Sequence, residues 1–116
     1  MPQASRGEVW IANLDPTTEH EQAKQRPVLV LSNDVLNHGA GEMLVILPIT
    51  SVNKGIPLHV EVIPPGGGLS RRSFVMCDQI RAISTRRLRT GGPLGTLSPE
   101  TMSEVADRVK IVLDLD

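Results

Sequence analysis

Short apolar or alternating runs, separated every few residues by turn-forming residues, restrict the fold of this chain more than any other feature. Runs of this kind are typical of the strands in a sandwich or barrel. The sequence predicts about seven of them: Glu8–Leu14, Pro27–Leu31, Met43–Ile49, Leu58–Ile63, Ser73–Cys77, Ile80–Ile83 and Leu94–Leu97. The pattern indicates a small, strongly bent sheet or barrel.

A helix is predicted at the end of the chain. Ser98 supplies a capping hydroxyl, and Pro99 suits the first helical position. Apolar residues then recur at helical spacing: Met102, Val105, Ala106, Val109, Val112 and Leu113. One helical turn is also predicted over Asp34–Asn37, with Ser32 or Asn33 as its cap. The predicted fold class is therefore mainly β with a C-terminal helix.

A chain of 116 residues is expected to form one domain, with residues 1–6 as a loose tail. The single cysteine, Cys77, excludes an intrachain disulfide framework, and its apolar neighbours predict a buried, inert thiol. No apolar run approaches the length that spans a bilayer, and the N-terminus lacks the apolar region of a signal peptide. We expect a cytoplasmic protein that does not associate with membranes.

The net charge of −1 conceals an uneven distribution of arginine. Six of the twelve basic residues fall between positions 71 and 89, opposed only by Asp78: Arg71, Arg72, Arg81, Arg86, Arg87 and Arg89. Such a cluster fits a phosphate-facing patch, and it fits equally a set of arginines that solvate one face. Trp10 and Phe74 are the only aromatic residues, so a platform of stacked rings for nucleic-acid bases is not expected.

The segment from Asp15 to Ser32 joins a polar stretch to an apolar strand. Pro27 restricts Arg26 to an extended conformation where the two meet. A guanidinium there, with His20 and Glu21 in the preceding polar stretch, suggests a site for an anionic substrate. An arginine that contacts only solvent fits the same pattern.

Other polar motifs have two interpretations each. Thr50 and Ser51 follow the most apolar strand, either to end it or to supply hydroxyls to a site. Asp78–Gln79 follows a strand, either as a polar bulge or as a functional pair. His59 begins the H-x-E pattern of zinc deaminases, but the P-C-x-x-C partner is missing, so no metal site is expected. Gly66-Gly67-Gly68 lacks the residues of a phosphate loop and is predicted to be a flexible turn.

In combination, the motifs resemble the MazF/PemK toxin family, and its Kid-like branch in particular. The matching segments run from Arg6 to about Leu115: RGEVW, LDPT, HEQ, RPVLVLS, LPITS, CDQIRAI and GTLSPETM. The resemblance implies a small SH3-like barrel that forms a twofold homodimer. It also implies a type II toxin that cleaves single-stranded mRNA without a metal or other cofactor. The implied partners are RNA and a MazE-like antitoxin whose flexible C-terminal tail covers the RNA groove.

The resemblance also implies roles for single residues. Arg26 matches the catalytic arginine of the RP motif, and Thr50 matches the catalytic threonine of the PITS motif. His20 and Asp78 match residues with acid–base or supporting roles in the Kid-like branch, and either His20 or its neighbour Glu21 is expected to be the base. The expected substrate-binding residues are Gln22, Ser51, Asp78 and Gln79.

Two departures from the Kid-like pattern bear on these roles. Met76 stands where that branch has a catalytic arginine, so Arg26 is expected to be the main catalytic arginine here. Ala23-Lys24-Gln25 replaces the glycines that are common before the RP motif. Two other functions therefore stay open: a CcdB-like toxin that binds a topoisomerase without catalysis, and an inactive homologue that only binds antitoxin.

Overall fold

The computed structural model describes residues 3–14 and 25–116. The seven strands are β1 (Glu8–Asn13), β2 (Gln25–Val30), β3 (Met43–Thr50), β4 (His59–Val62), β5 (Ser73–Met76), β6 (Arg81–Ser84) and β7 (Gly95–Thr96). The helices are α1 (Asp34–Asn37) and α2 (Pro99–Leu113), with single 3₁₀ turns at Gly66–Gly68 and Thr85–Arg87. The predicted fold class, mainly β with a C-terminal helix, is confirmed. Neither α1 nor α2 is long and apolar enough to cross a membrane.

β3 is the central strand, as predicted, because it pairs with three others. All its partners are antiparallel: β2 along one edge, and β6 and β5 along the other. The N-terminal half of β3 pairs with β6, whereas Ile49 and Thr50 pair with β5. The path β4-β5-β3-β2-β1-β7 completes the sheet. Since two strands follow one another along one edge of β3, the sheet curls into a half-barrel.

Apolar side chains cover both faces of this curled sheet. One cluster includes Val9 and Leu29 and packs against Val105 and Val109 of α2. The other cluster lies on the opposite face and includes Trp10 and its neighbours on β2, β3 and β6. Successive strand residues thus alternate between two buried clusters, as expected of strands covered on both sides.

Hydroxyl and amide caps begin both helices. The Ser98 side chain accepts a hydrogen bond from the backbone N–H of Thr101, and Asn33 caps α1 through the N–H of Val35. Val105 and Val109 form the buried side of α2. The prediction that Leu113 belongs to that side is wrong, because its side chain is half exposed in the last turn.

The N-terminal segment is packed where a loose tail was predicted. Ala4 is buried within the second cluster, and its carbonyl lies 2.9 Å from Nε2 of His38. The backbone N–H of Ser5 donates to the Glu8 carboxylate at 2.7 Å. The prediction of a loose tail is therefore wrong from Ala4 onward, because Ala4 packs in the second cluster and the N–H of Ser5 is hydrogen-bonded.

The three consecutive glycines form a tight contact that closes one side of the barrel. Gly67 and Gly68 have positive φ angles, 62° and 75°. A Cβ on Gly68 would lie 2.0 Å from the carbonyl oxygen of Leu94, and one on Gly95 would lie 2.6 Å from the nitrogen of Gly68. The expectation of a flexible turn is wrong, because two backbone segments meet here with no room for a side chain.

This contact predicts a large penalty for Gly68→Ala. The new methyl group meets the Leu94 carbonyl in a left-handed backbone conformation, so we expect a loss of about 3 kcal/mol in the free energy of unfolding. Urea denaturation measures it. Gly41→Ala is the matched control, since nothing lies within 4 Å of its Cβ position. Equal stabilities of the two variants would contradict the prediction.

Candidate active site

Strand register brings Arg26 and Thr50 to the same place on the sheet. β2 pairs with β3 so that Val28 lies opposite Pro48. Continued for two residues beyond the paired positions, this register leads to Arg26 on β2 and Thr50 on β3, and side chains two apart share one face of a strand. Arg26 pairs with Ala12 of β1, and Thr50 pairs with Phe74 of β5. Arg26 is thus a strand residue of β2, which begins at Gln25, two residues before the predicted start at Pro27.

A large cleft of about 1020 Å³ opens at this point. Arg26, Thr50, Ser51 and Arg71 line it, together with the backbone that follows the glycine turn. Arg26 is exposed, whereas Thr50 is buried, with 7% of its surface exposed. Arg26, Thr50 and Ser51, which the sequence singled out separately, therefore meet in one cleft.

The Thr50 hydroxyl is held in place by a backbone bond. Its Oγ1 accepts a hydrogen bond from the N–H of Val52 at 3.1 Å. A hydroxyl that accepts in this way keeps its own hydrogen for a further acceptor. Thr50 can therefore offer a hydrogen-bond donor to a ligand in the cleft.

A smaller cleft of about 420 Å³ shares Arg26 with the larger one. Lys54, Arg81 and Gln79 also line it, beside Met76. The described lining residues include three cations and no carboxylate. A concave surface with charge of one sign concentrates ions of the opposite sign, so the two clefts form a continuous region suited to anions around Arg26.

Asp78 contacts His59 rather than either cleft. Its Oδ1 lies 3.0 Å from Nε2 of His59. His59 is buried in β4, whereas Glu61, two residues further along the strand, is exposed. The sequence suggested only a metal-binding role for His59. Its contact with Asp78 follows from the pairing of β4 with β5, in which His59 lies opposite Met76. Within the described ranges, no group of three or more His, Cys, Asp or Glu residues could hold a metal ion.

Most of the clustered arginines have local partners. Arg81 and Arg87 donate to the backbone carbonyl of Leu14 at 3.2 and 3.3 Å. Arg89 donates to the side-chain oxygen of Gln25 at 3.3 Å. The remaining pairs are Arg72 with Glu61 and Arg86 with Glu42. The cluster is thus neither one phosphate-facing patch nor one solvated face, and only Arg71 and Arg81 of the six line the two clefts.

Cys77 is buried, as predicted. Burial raises the pKa of its thiol to about 11, so at neutral pH the thiolate needed for nucleophilic attack is scarce. Of the other candidates, His20, Glu21 and Gln22 lie outside the described residues.

Known proteins are similar to this chain over nearly its whole length. The family described as "PemK-like, MazF-like toxin of type II toxin-antitoxin system" matches residues 5–113. Endoribonuclease MazF9 of Mycobacterium tuberculosis is 34% identical over 115 residues, 95% of this chain and 96% of that protein. The solved structure of MazE-MazF (Form-II) from Deinococcus radiodurans has a TM-score of 0.82 at 28% identity and covers 98% of both chains. Mycobacterium tuberculosis toxin MazF-mt6 has a TM-score of 0.77 at 29% identity, covering 94% of this chain and 98% of its own.

Proposed function

The chain belongs to the PemK-like, MazF-like toxins of type II toxin–antitoxin systems, and we propose that it is an endoribonuclease whose cleft holds the scissile phosphate between Arg26 and Thr50. One observation supports this proposal: a permanent cation, Arg26, and a hydroxyl donor, Thr50, line the same cleft. A relative at 34% identity over nearly its whole length, Endoribonuclease MazF9, supports the same activity.

The substrate is single-stranded mRNA, and cleavage inhibits translation. The smaller cleft supports this choice, because Lys54 and Arg81 extend positive charge from Arg26 in a direction that a phosphate backbone can follow. Ser51 lines the larger cleft and Gln79 the smaller one, and we propose that both contact the nucleotides beside the scissile bond. Bases of a single strand are free to be read by such hydrogen-bonding side chains.

The reaction uses the 2′-hydroxyl of the RNA as its nucleophile. The 2′-oxygen bonds to phosphorus as a base removes its proton, and the bond from phosphorus to the 5′-oxygen breaks as an acid protonates that oxygen. Arg26 can donate two parallel hydrogen bonds to the non-bridging oxygens, where negative charge accumulates. Thr50 adds a neutral donor held ready by its bond to Val52. The products carry a 2′,3′-cyclic phosphate and a 5′-hydroxyl.

His20 and Glu21 are the candidates for proton transfer, with Gln22 as a further RNA contact. Imidazole exchanges protons close to neutral pH, and a carboxylate does so when its environment raises its pKa. Asp78 completes the set as a residue that supports the cleft from the His59 side.

The protein acts in the cytoplasm as a homodimer that a MazE-like antitoxin neutralises through a flexible tail. The Deinococcus radiodurans relative, solved as MazE-MazF, supports a partner of this class. A tail that enters the clefts would occupy the surface that RNA requires.

The first test is cleavage of single-stranded RNA in excess chelator. Removing the phosphate cation in Arg26→Ala should lower kcat/KM by about 10²–10³-fold. Thr50→Ala should lower it by about tenfold, with about 1 kcal/mol lost from stability because the Val52 bond is removed. Mass spectrometry of the products should find cyclic phosphate ends.

Arg86→Ala is the matched control, since this exposed arginine pairs with Glu42 and lines neither cleft. It should cleave like the unaltered protein. Unchanged cutting by folded Arg26→Ala would overturn the catalytic assignment. Absence of cutting by the unaltered protein would favour a non-catalytic role, and inhibition of a topoisomerase would then identify a CcdB-like toxin rather than an inactive antitoxin-binding homologue.

The pH dependence of kcat/KM identifies the base. A base must be deprotonated to accept the 2′-proton, so activity should rise with pH through the pKa of that group. The ordinary pKa is about 6.5 for the imidazole of histidine and about 4.3 for the carboxyl group of glutamate. The substitution that removes the base, His20→Asn or Glu21→Gln, should abolish the acidic limb and lower activity by about 10²-fold. If the acidic limb of the pH profile remains in both variants, neither His20 nor Glu21 is the base.

Sedimentation tests the assembly. The purified toxin should sediment as a dimer, and adding its MazE-like antitoxin should both increase the mass and stop RNA cleavage. An antitoxin fragment without its flexible tail is the control, because without the segment that contacts the toxin it should neither increase the mass nor stop cleavage. A monomeric toxin that still cleaves would contradict the homodimer.

A further inference from the structure

We propose that His59 is a positioning residue of the ribonuclease, holding the Asp78 carboxylate and so fixing the Asp78–Gln79 turn at the edge of the smaller cleft. The inference rests on the proposed function, which supplies the reaction by which the position of Gln79 can be measured.

The His59–Asp78 bond has a defined direction. The His59 side chain is 2% exposed and that of Asp78 is 32% exposed. An ionised carboxylate only accepts hydrogen bonds, so Nε2 of His59 carries the hydrogen that it shares with Oδ1 at 3.0 Å. The other ring nitrogen, Nδ1, is buried without a hydrogen-bond partner in the part of the chain that the structure describes. His59 therefore acts as a hydrogen-bond donor from a buried position.

Stability alone does not account for an imidazole at this position. A buried nitrogen without a partner costs free energy, and an apolar side chain of similar size would remove that cost. Asp78 is partly exposed, so water could solvate its carboxylate without His59. The bond to Asp78 thus has more consequence for the geometry of Asp78 than for the free energy of folding.

The pair adjoins the residues of the smaller cleft. His59 lies opposite Met76 in the pairing of β4 with β5, and Met76 lines that cleft together with Gln79. The N–H of Gln79 donates to the Met76 carbonyl at 3.1 Å, which holds one side of the turn. The His59–Asp78 bond holds the other side. Two attachments fix the backbone of the turn, and with it the position from which the Gln79 side chain reaches the smaller cleft, whereas one attachment leaves the turn free to rotate.

A direct role of His59 in proton transfer does not fit its surroundings. An imidazole that is 2% exposed, with its one bonded nitrogen directed at Asp78, has no open path to RNA in the cleft. Its influence on the reaction passes through the turn.

Two substitutions separate positioning from packing. His59→Leu keeps the volume and removes the donor, so kcat/KM should fall about tenfold, mainly through KM, while the thermal midpoint stays equal or rises. His59→Gln restores an N–H near the position of Nε2 and should recover most of the loss. His38→Leu is the control, because it removes another histidine hydrogen bond, to the carbonyl of Ala4, outside both clefts.

A double-mutant cycle locates the effect at Gln79. His59→Leu should add no further loss to Gln79→Ala, because it acts only through the position of that amide. Losses that multiply in the double variant would overturn the proposal. So would His59→Leu activity within twofold of the unaltered protein, or a His59→Gln variant as impaired as His59→Leu. Failure of the unaltered protein to cleave RNA would instead contradict the proposed function.

Discussion

The pairing of β2 with β3 determines where Arg26 and Thr50, the two residues of the proposed active site, lie on the sheet. Side chains alternate across a strand, so a slip of one residue would move Arg26 to the opposite face and away from Thr50. Val28, Leu29 and Val30 prevent such a slip, because all three are fully buried and alternate between the two clusters. Burying each side chain contributes about 1.5–3 kcal/mol, and a slip would forfeit much of it. The same apolar residues that stabilise the sheet therefore fix the positions of Arg26 and Thr50 on it.

Arginine serves as a structural residue here more often than as a ligand for phosphate. Guanidinium groups carry five N–H donors, so one group can bind a backbone carbonyl and still present donors elsewhere. Arg81 does both, since it bonds to Leu14 and also lines the smaller cleft. Arg87 and Arg89 tie the ends of β1 and β2, the two strands that flank residues 15–24. A chain of net charge −1 can thus keep a local positive region without an overall excess of cations.

Features set by local chemistry could be predicted from the sequence, and features set by distant contacts could not. The capped start of α2, the central apolar strand and the buried Cys77 follow from residues near in sequence, and all are confirmed. That Arg26 and Thr50 line one cleft depends on how the strands pair, which the sequence does not show. Only the family resemblance linked the two residues. The burial of His59 was not predicted, because its partner Asp78 lies nineteen residues away. The Gly66–Gly68 turn was misjudged for the same reason, since Leu94 and Gly95 lie far along the chain.

The contact between the glycine turn and β7 has a consequence for how relatives of this toxin can diversify. Gly67, Gly68 and Gly95 leave no space for larger residues, so this part of the wall is a fixed frame. Ser70, Arg71 and Leu94 stand immediately beside it and line the larger cleft. Variation at these three sites can alter which nucleotides are accommodated while the scaffold stays unmoved. Selectivity can therefore drift, or be engineered, independently of the fold that carries the reaction.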